Sequence, residues 1–151
     1  AVGVGTTMLL HCDLVFVAND AKLTTPFVNL ALVPEAASSI LLPARIGYAR
    51  AFAMFALGDA FTGEQAAQIG IANIALPKDQ VISAAREAAK KLALRPIGAV
   101  IATKKLMRDG EKILAQSRTE SAIFAERLAS AEAMEAFSAF QQKRAPDFSK
   151  L

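Results

Sequence analysis

At 151 residues, 54% hydrophobic and with a net charge of +3, the chain fits one domain with a sizeable core. No run of about eighteen uncharged apolar residues is present, so no membrane span is expected. The Lys and Arg residues are spread among Glu and Asp and Trp is absent, unlike a nucleic-acid groove, which clusters cations with aromatics. A lone cysteine rules out an intramolecular disulfide, and one Cys with one His argues against the usual zinc sets.

In chain order, Gly3-Val4-Gly5 leads into a short buried helix, with Gly5 or Thr6 at its start. Cys12, in an apolar run, is expected to be a buried and inert thiol. Leu14-Val15-Phe16-Val17 reads as a buried strand, Asn19-Asp20 as a turn, and Lys22 to Thr25 as a second strand ended by Pro26. Residues 27–35 form a loop with one helical turn. Helices follow over 38–46, ended by Gly47, and over 48–57, ended by Gly58. Thr62 with Gln65 fits a capping box that opens a helix to Gly70, and 71–76 is strand-like up to Pro77.

Beyond Pro77 the pattern is helical throughout. One amphipathic helix covers 79–94, with Val81, Ala85, Ala88 and Leu92 on one face. Another runs from Pro96 to about Arg108 and breaks at Asp109-Gly110. A third spans 111–129, with Leu114, Ser117, Ser121, Phe124 and Leu128 at helical spacing, and a fourth, capped by Ser130, carries Phe140 and Lys143 on one face. Two parts are expected: an α/β part over 1–77 and a helical part over 78–151.

Two features carry chemistry. Gly3-Val4-Gly5 at a helix start allows close backbone approach and leaves N–H groups without partners, a setting for an oxyanion; a tight packing turn explains the same residues. Glu35 is the one acid between Asp20 and Asp59 and sits among Leu32, Val33, Pro34, Ala36 and Ala37. Desolvation in such a setting favours the protonated carboxyl, as a proton shuttle near neutral pH requires. The plainer reading is an exposed loop acid or a charge at a helix start.

Several stretches together resemble the crotonase superfamily. These are Gly3-Val4-Gly5 with His11-Cys12-Asp13, the run Ala21 to Phe27, Leu32-Val33-Pro34-Glu35 with Ser38-Ser39 and Leu41-Leu42-Pro43, the segment from Gly58 to Gly70, and Ala139 to Arg144. The resemblance covers nearly the whole chain and is nearest to Δ3,Δ2-enoyl-CoA isomerases. It implies an α/β fold: the carboxyl-terminal part of a ββα spiral followed by a helical trimerisation region, in a homotrimer or hexamer. A chain opening on Ala1-Val2-Gly3 without Met is then expected to be part of a longer protein, whose preceding portion supplies the second oxyanion donor.

The resemblance also implies roles. Glu35 is the expected catalytic base and the Val4 N–H an oxyanion-hole donor. Gly3, Gly5, Phe27, Phe140 and Lys143 are the expected substrate-binding residues, the last two at the adenine and 3′-phosphate of coenzyme A. The two glutamates of the family's hydratases fall at Thr7 and Phe27 here, and neither of these side chains exchanges a proton usefully. Double-bond isomerisation of an acyl-CoA in fatty-acid metabolism and β-oxidation is therefore expected. The alternatives are hydration, or an inactive assembly subunit. No metal or separate cofactor is expected, since coenzyme A enters as part of the substrate. A cytoplasmic setting is expected; terminal Ser149-Lys150-Leu151 raises the peroxisome as the alternative.

Overall fold

In the computed structural model, Gly3 adopts φ 53° and ψ −121°, a region closed to residues with a Cβ. That turn launches helix α1 (Val4–Thr7), which tightens into a 3₁₀ turn over Met8–His11. The helix starts at Val4, earlier than the expected Gly5 or Thr6, and has no side-chain cap. The structure describes residues 1–151 except the side chain of Lys150, so the Lys150 part of the terminal Ser149-Lys150-Leu151 run lies outside the described side chains.

Strand β1 (Phe16–Ala18) pairs in parallel with β4 (Ile74–Leu76), and β2 (Lys22–Leu23) pairs antiparallel with β3 (Phe61–Thr62). The strand expected from Leu14 begins later, and Leu14 is exposed. Only Val15 and Val17 are buried there, because alternate side chains of a strand face opposite sides and one side alone meets the core. The capping box forms as expected at α4 (Gly63–Ile69): Thr62 Oγ1 accepts from Gln65 N–H and the Gln65 side chain accepts from Thr62 N–H. Gly63 is required there, since a Cβ would fall 1.8 Å from the Ala18 carbonyl oxygen.

Helices α2 (Ser38–Ile46) and α3 (Tyr48–Phe52) follow, α3 running into a π-helical turn at Ala53–Leu57 that stops at Gly58. Arg45 on α2 fastens the layers together, donating to the carbonyls of Leu10 (2.9 Å), Cys12 (3.1 Å) and Ile71 (3.3 Å). Burial, with the nearby Arg108 charge, lowers the Arg45 pKa from its ordinary value. The buried core gathers Leu10, Val15, Val17, Leu23, Phe27, Leu32, Leu42, Ile46, Met54, Phe55 and Ile71, and Ala133 joins it from the second half of the chain.

The second half is α5 (Val81–Ala93), α6 (Ile97–Met107), α7 (Gly110–Leu128) and α8 (Ala131–Gln141). Asp109 both separates α6 from α7 and caps α7 by accepting from Lys112 N–H, and Ser130 caps α8 through Ala133 N–H. Among the described residues no side chain of α5 or α6 is buried, while Leu94, Ile97, Leu106 and Met107 are exposed. No helix among the described residues is long and apolar enough to cross a membrane.

Three expectations are corrected. Cys12 is exposed, because the 3₁₀ turn ends at His11 and the chain leaves the core before reaching β1. The inward stripe of α7 is Ile113, Gln116, Ser117, Glu120, Phe124 and Arg127, whereas Leu114, Ser121 and Leu128 are exposed; the packed face is turned from the apolar spacing by polar residues that have partners. Lys143 does not share a helical face with Phe140. It stands beyond the end of α8 in the left-handed conformation (φ 54°), where its N–H bonds Phe140 O and the Arg144 N–H bonds Ala139 O, the paired bonds of a Schellman stop.

Candidate active site

Glu35 lies between the 3₁₀ turn Val28–Leu30 and α2, in a loop whose path needs three alanines in the left-handed region: Ala31, Ala36 and Ala37, at φ 56°, 57° and 56°. Residues with a Cβ adopt this conformation at a cost of about 1–2 kcal/mol each, so the loop persists only if its surroundings hold it. Ser38 N–H closes the turn on Glu35 O at 3.0 Å. His11 Nε2 lies 2.7 Å from Ala36 O, and Arg108 donates to His11 Nδ1 at 3.1 Å. Both contacts suit the tautomer with its proton on Nε2. Arg127 Nε donates to Ala31 O at 3.2 Å and its guanidinium pairs with Glu132.

The firmest hold comes from Glu120 on α7. Its carboxylate is 4% exposed and accepts from Ala37 N–H at 2.5 Å and from Ser39 N–H at 2.9 Å. Helix α2 has no side-chain cap of its own, so an acid 83 positions from Ala37 takes that role. The first N–H groups of a helix lack internal partners and the positive end of its dipole favours an anion; Glu120 meets both needs. Gln116 adds a bond to Ser39 Oγ at 2.9 Å. The sequence reading passed over Glu120. The available signal was the series Gln116, Glu120, Phe124, Arg127 at helical spacing, a polar stripe that is buried only when it has partners.

The other end of Glu35 meets α1. Thr7, 1% exposed, donates from Oγ1 to Glu35 Oε1 at 2.5 Å. Residues 28 positions apart are thereby joined, and the carboxylate is set beside the helix that begins at Val4. Gly5 N–H bonds Val2 O, and the Thr6 and Thr7 N–H groups bond Gly3 O, while Val4 N–H has no partner among the described residues. The arrangement therefore offers a carboxylate, a hydroxyl and a free backbone donor within one turn of structure. Thr7, read from sequence as chemically idle, is the direct partner of Glu35.

The remaining expected residues divide. Gly3 has a conformational reason to be glycine. Gly5 has none within this chain, since a Cβ there would meet only the Ala1 side chain at 3.8 Å. Phe27 is 7% exposed and packs on Phe55 with ring centroids 6.2 Å apart, so most of its surface serves the core. Phe140 and Lys143 are exposed at the end of α8, and no hydrogen bond or ion pair among the described residues ties either one to Glu35, Thr7 or Val4. A groove of about 880 Å³ runs between α2 and α6, lined by Cys12, Leu41, Arg45, Val100, Lys104 and Arg108 among others; Glu35 is not in its wall.

The sequence profile described as enoyl-CoA hydratase/isomerase matches residues 1–150. The chain is 31% identical over 150 residues to the 2,3-dehydroadipyl-CoA hydratase of Escherichia coli, covering 98% of this chain and 59% of that protein. It is also 31% identical to the 1,2-epoxyphenylacetyl-CoA isomerase of the same organism, covering 98% and 57%. Among solved structures, an enoyl-CoA hydratase/isomerase from Pseudoalteromonas atlantica superposes with a TM-score of 0.94 at 40% identity, over 98% of this chain and 60% of that one. OdaA of Pseudomonas aeruginosa superposes with a TM-score of 0.88 at 48% identity, over 93% and 58%. The chain thus spans 57–60% of the length of these four proteins. A match along almost all of its residues, and the same fold in relatives of this similarity, make the chain a member of the enoyl-CoA hydratase/isomerase family of the crotonase superfamily.

Proposed function

We propose that the protein shifts a double bond of an acyl-CoA from the 3- to the 2-position, with Glu35 as its single acid–base group. The observation that carries this reading is the contact of Glu35 with Thr7 Oγ1, beside the helix whose first N–H, on Val4, has no partner among the described residues. Glu35 removes a proton from C2, which the thioester acidifies. The electron pair moves onto the thioester oxygen as a dienolate, and the Val4 N–H, with a donor from outside this chain, holds that charge. Glu35 then returns the proton at C4, the C2–C3 double bond forms and the thioester carbonyl is restored. Each oxyanion donor contributes about 3 kcal/mol. The chemistry asks for no metal or redox group, and coenzyme A enters with the substrate.

Hydration is the second reading, favoured by the several similar proteins named hydratases. It requires a water held between two carboxylates, and Thr7 and Phe27 occupy the positions where the resemblance expects them. An inactive assembly subunit is the third. The native, assembled protein, given 3-enoyl-CoA and 2-enoyl-CoA separately, is expected to convert the first to the 2-isomer and to hydrate the second at least about a hundredfold more slowly. Efficient hydration without isomerisation would establish the second reading, and neither reaction the third.

The exposed apolar side chains of α6 suit burial between subunits, in a homotrimer or hexamer. A cytoplasmic enzyme of fatty-acid metabolism is the setting proposed. Phe140 and Lys143 then serve coenzyme A, the ring against adenine and the ammonium as a point charge for the 3′-phosphate. Lys143→Ala is expected to weaken coenzyme A binding about tenfold while leaving 3′-dephospho-coenzyme A nearly unaffected, read by calorimetric titration with both ligands. An unchanged preference for the phosphorylated form would place the phosphate elsewhere.

A further inference from the structure

The Thr7 hydroxyl has two acceptors within reach: Glu35 Oε1 at 2.5 Å and the Val4 carbonyl oxygen at 3.4 Å. A threonine hydroxyl has one proton to donate and two lone pairs with which to accept. Beside an ionised Glu35 the proton goes to the carboxylate, because a charge-assisted bond is the stronger of the two. When the proton taken from C2 sits on Oε2, Oε1 is the carbonyl oxygen of the neutral acid and still accepts from the Thr7 O–H. No heavy atom moves.

From this geometry we infer that Thr7 is the positioning residue for Glu35 in both of its protonation states, an inference that rests on Glu35 being the base proposed above. A single carboxyl that takes a proton at C2 and returns it at C4 must keep its place while charged and while neutral. Thr7 is suited to both, and its own position is set by its backbone bond to Gly3 O at 3.0 Å and by its burial. Its contact occupies Oε1. Oε2 has no partner among the described residues and is the oxygen left to face a substrate.

Thr6 provides the contrast. It is equally buried, yet its hydroxyl lies against the carbonyls of Ala1 (2.9 Å) and Thr24 (3.0 Å), both parts of the scaffold. The test compares Thr7→Val, which keeps shape and removes the hydroxyl, with Thr7→Ser, which keeps the hydroxyl, and with Thr6→Val. Kinetics are measured on the native, assembled protein with 3-enoyl-CoA. Thr7→Val is expected to lower kcat about tenfold with KM within about twofold, Thr7→Ser to restore most of it, and Thr6→Val to lower Tm with kcat kept. A wild-type kcat in Thr7→Val, or an equal loss in Thr6→Val, would overturn the inference. If the wild type does not isomerise at all, the proposed function fails separately, and crystal structures decide on Thr7. They are expected to show one Glu35 side-chain conformer in wild type and several in Thr7→Val; an unmoved Glu35 would overturn the inference there too.

Discussion

Glu35→Gln is expected to lower isomerase kcat by about a thousandfold while KM for the 3-enoyl-CoA stays within about twofold, since a general acid–base group contributes roughly 10²–10⁴ to rate. The amide has nearly the shape of the carboxylate and still accepts from Thr7 Oγ1 through its oxygen, so the contact that positions the side chain survives. What disappears is the ability to take up and release a proton. A substrate held by its coenzyme A moiety loses little from this change, so the loss falls on kcat. Steady-state kinetics with a binding titration separate the two effects. Turnover near the wild-type rate would remove Glu35 from the mechanism, whereas loss of binding with kcat preserved would make it a substrate contact.

Glu120→Ala is expected to be the most destabilising single change in the loop's surroundings, at about 3 kcal/mol. Two N–H groups, on Ala37 and Ser39, lose a buried charged acceptor at once. Water does not readily replace it, because Ala37 and Ser38 are fully buried. For a domain of this size the loss corresponds to roughly 6–12 °C in Tm, measured by calorimetry on the assembled protein. Activity should fall further than stability alone explains. Ala36 and Ala37 hold left-handed conformations that relax when the cap is gone, and the turn carrying Glu35 relaxes with them. Glu120→Gln retains one acceptor oxygen and is expected to lose about half as much stability. A Tm within 1–2 °C of wild type in Glu120→Ala, below any loss expected for a buried charge-assisted bond, would mean that the α2 terminus is held by other groups.

The legible parts of this protein were those whose causes lie within a few residues. Helix α2 runs over Ser38–Ile46 as the pattern indicated, between a loop and Gly47. The Thr62–Gln65 box and the Ser130 cap were readable because each bond joins residues three apart. Glu35 was readable as an isolated acid in an apolar stretch, and family membership followed from motifs spread along the chain. The tertiary structure alone decided the partners of that acid. Thr7 stands 28 residues before it, and Glu120 reaches its loop from α7, 83 residues beyond Ala37. No periodicity encodes such pairs. A buried polar residue and an exposed one look alike in sequence until packing decides which has a partner, and this is why Glu120 is buried on α7 while Leu114 and Leu128 are exposed. The left-handed Ala36 and Ala37 were hidden for a related reason: alanine has no local preference for that conformation, and only contacts made from elsewhere in the fold hold it there.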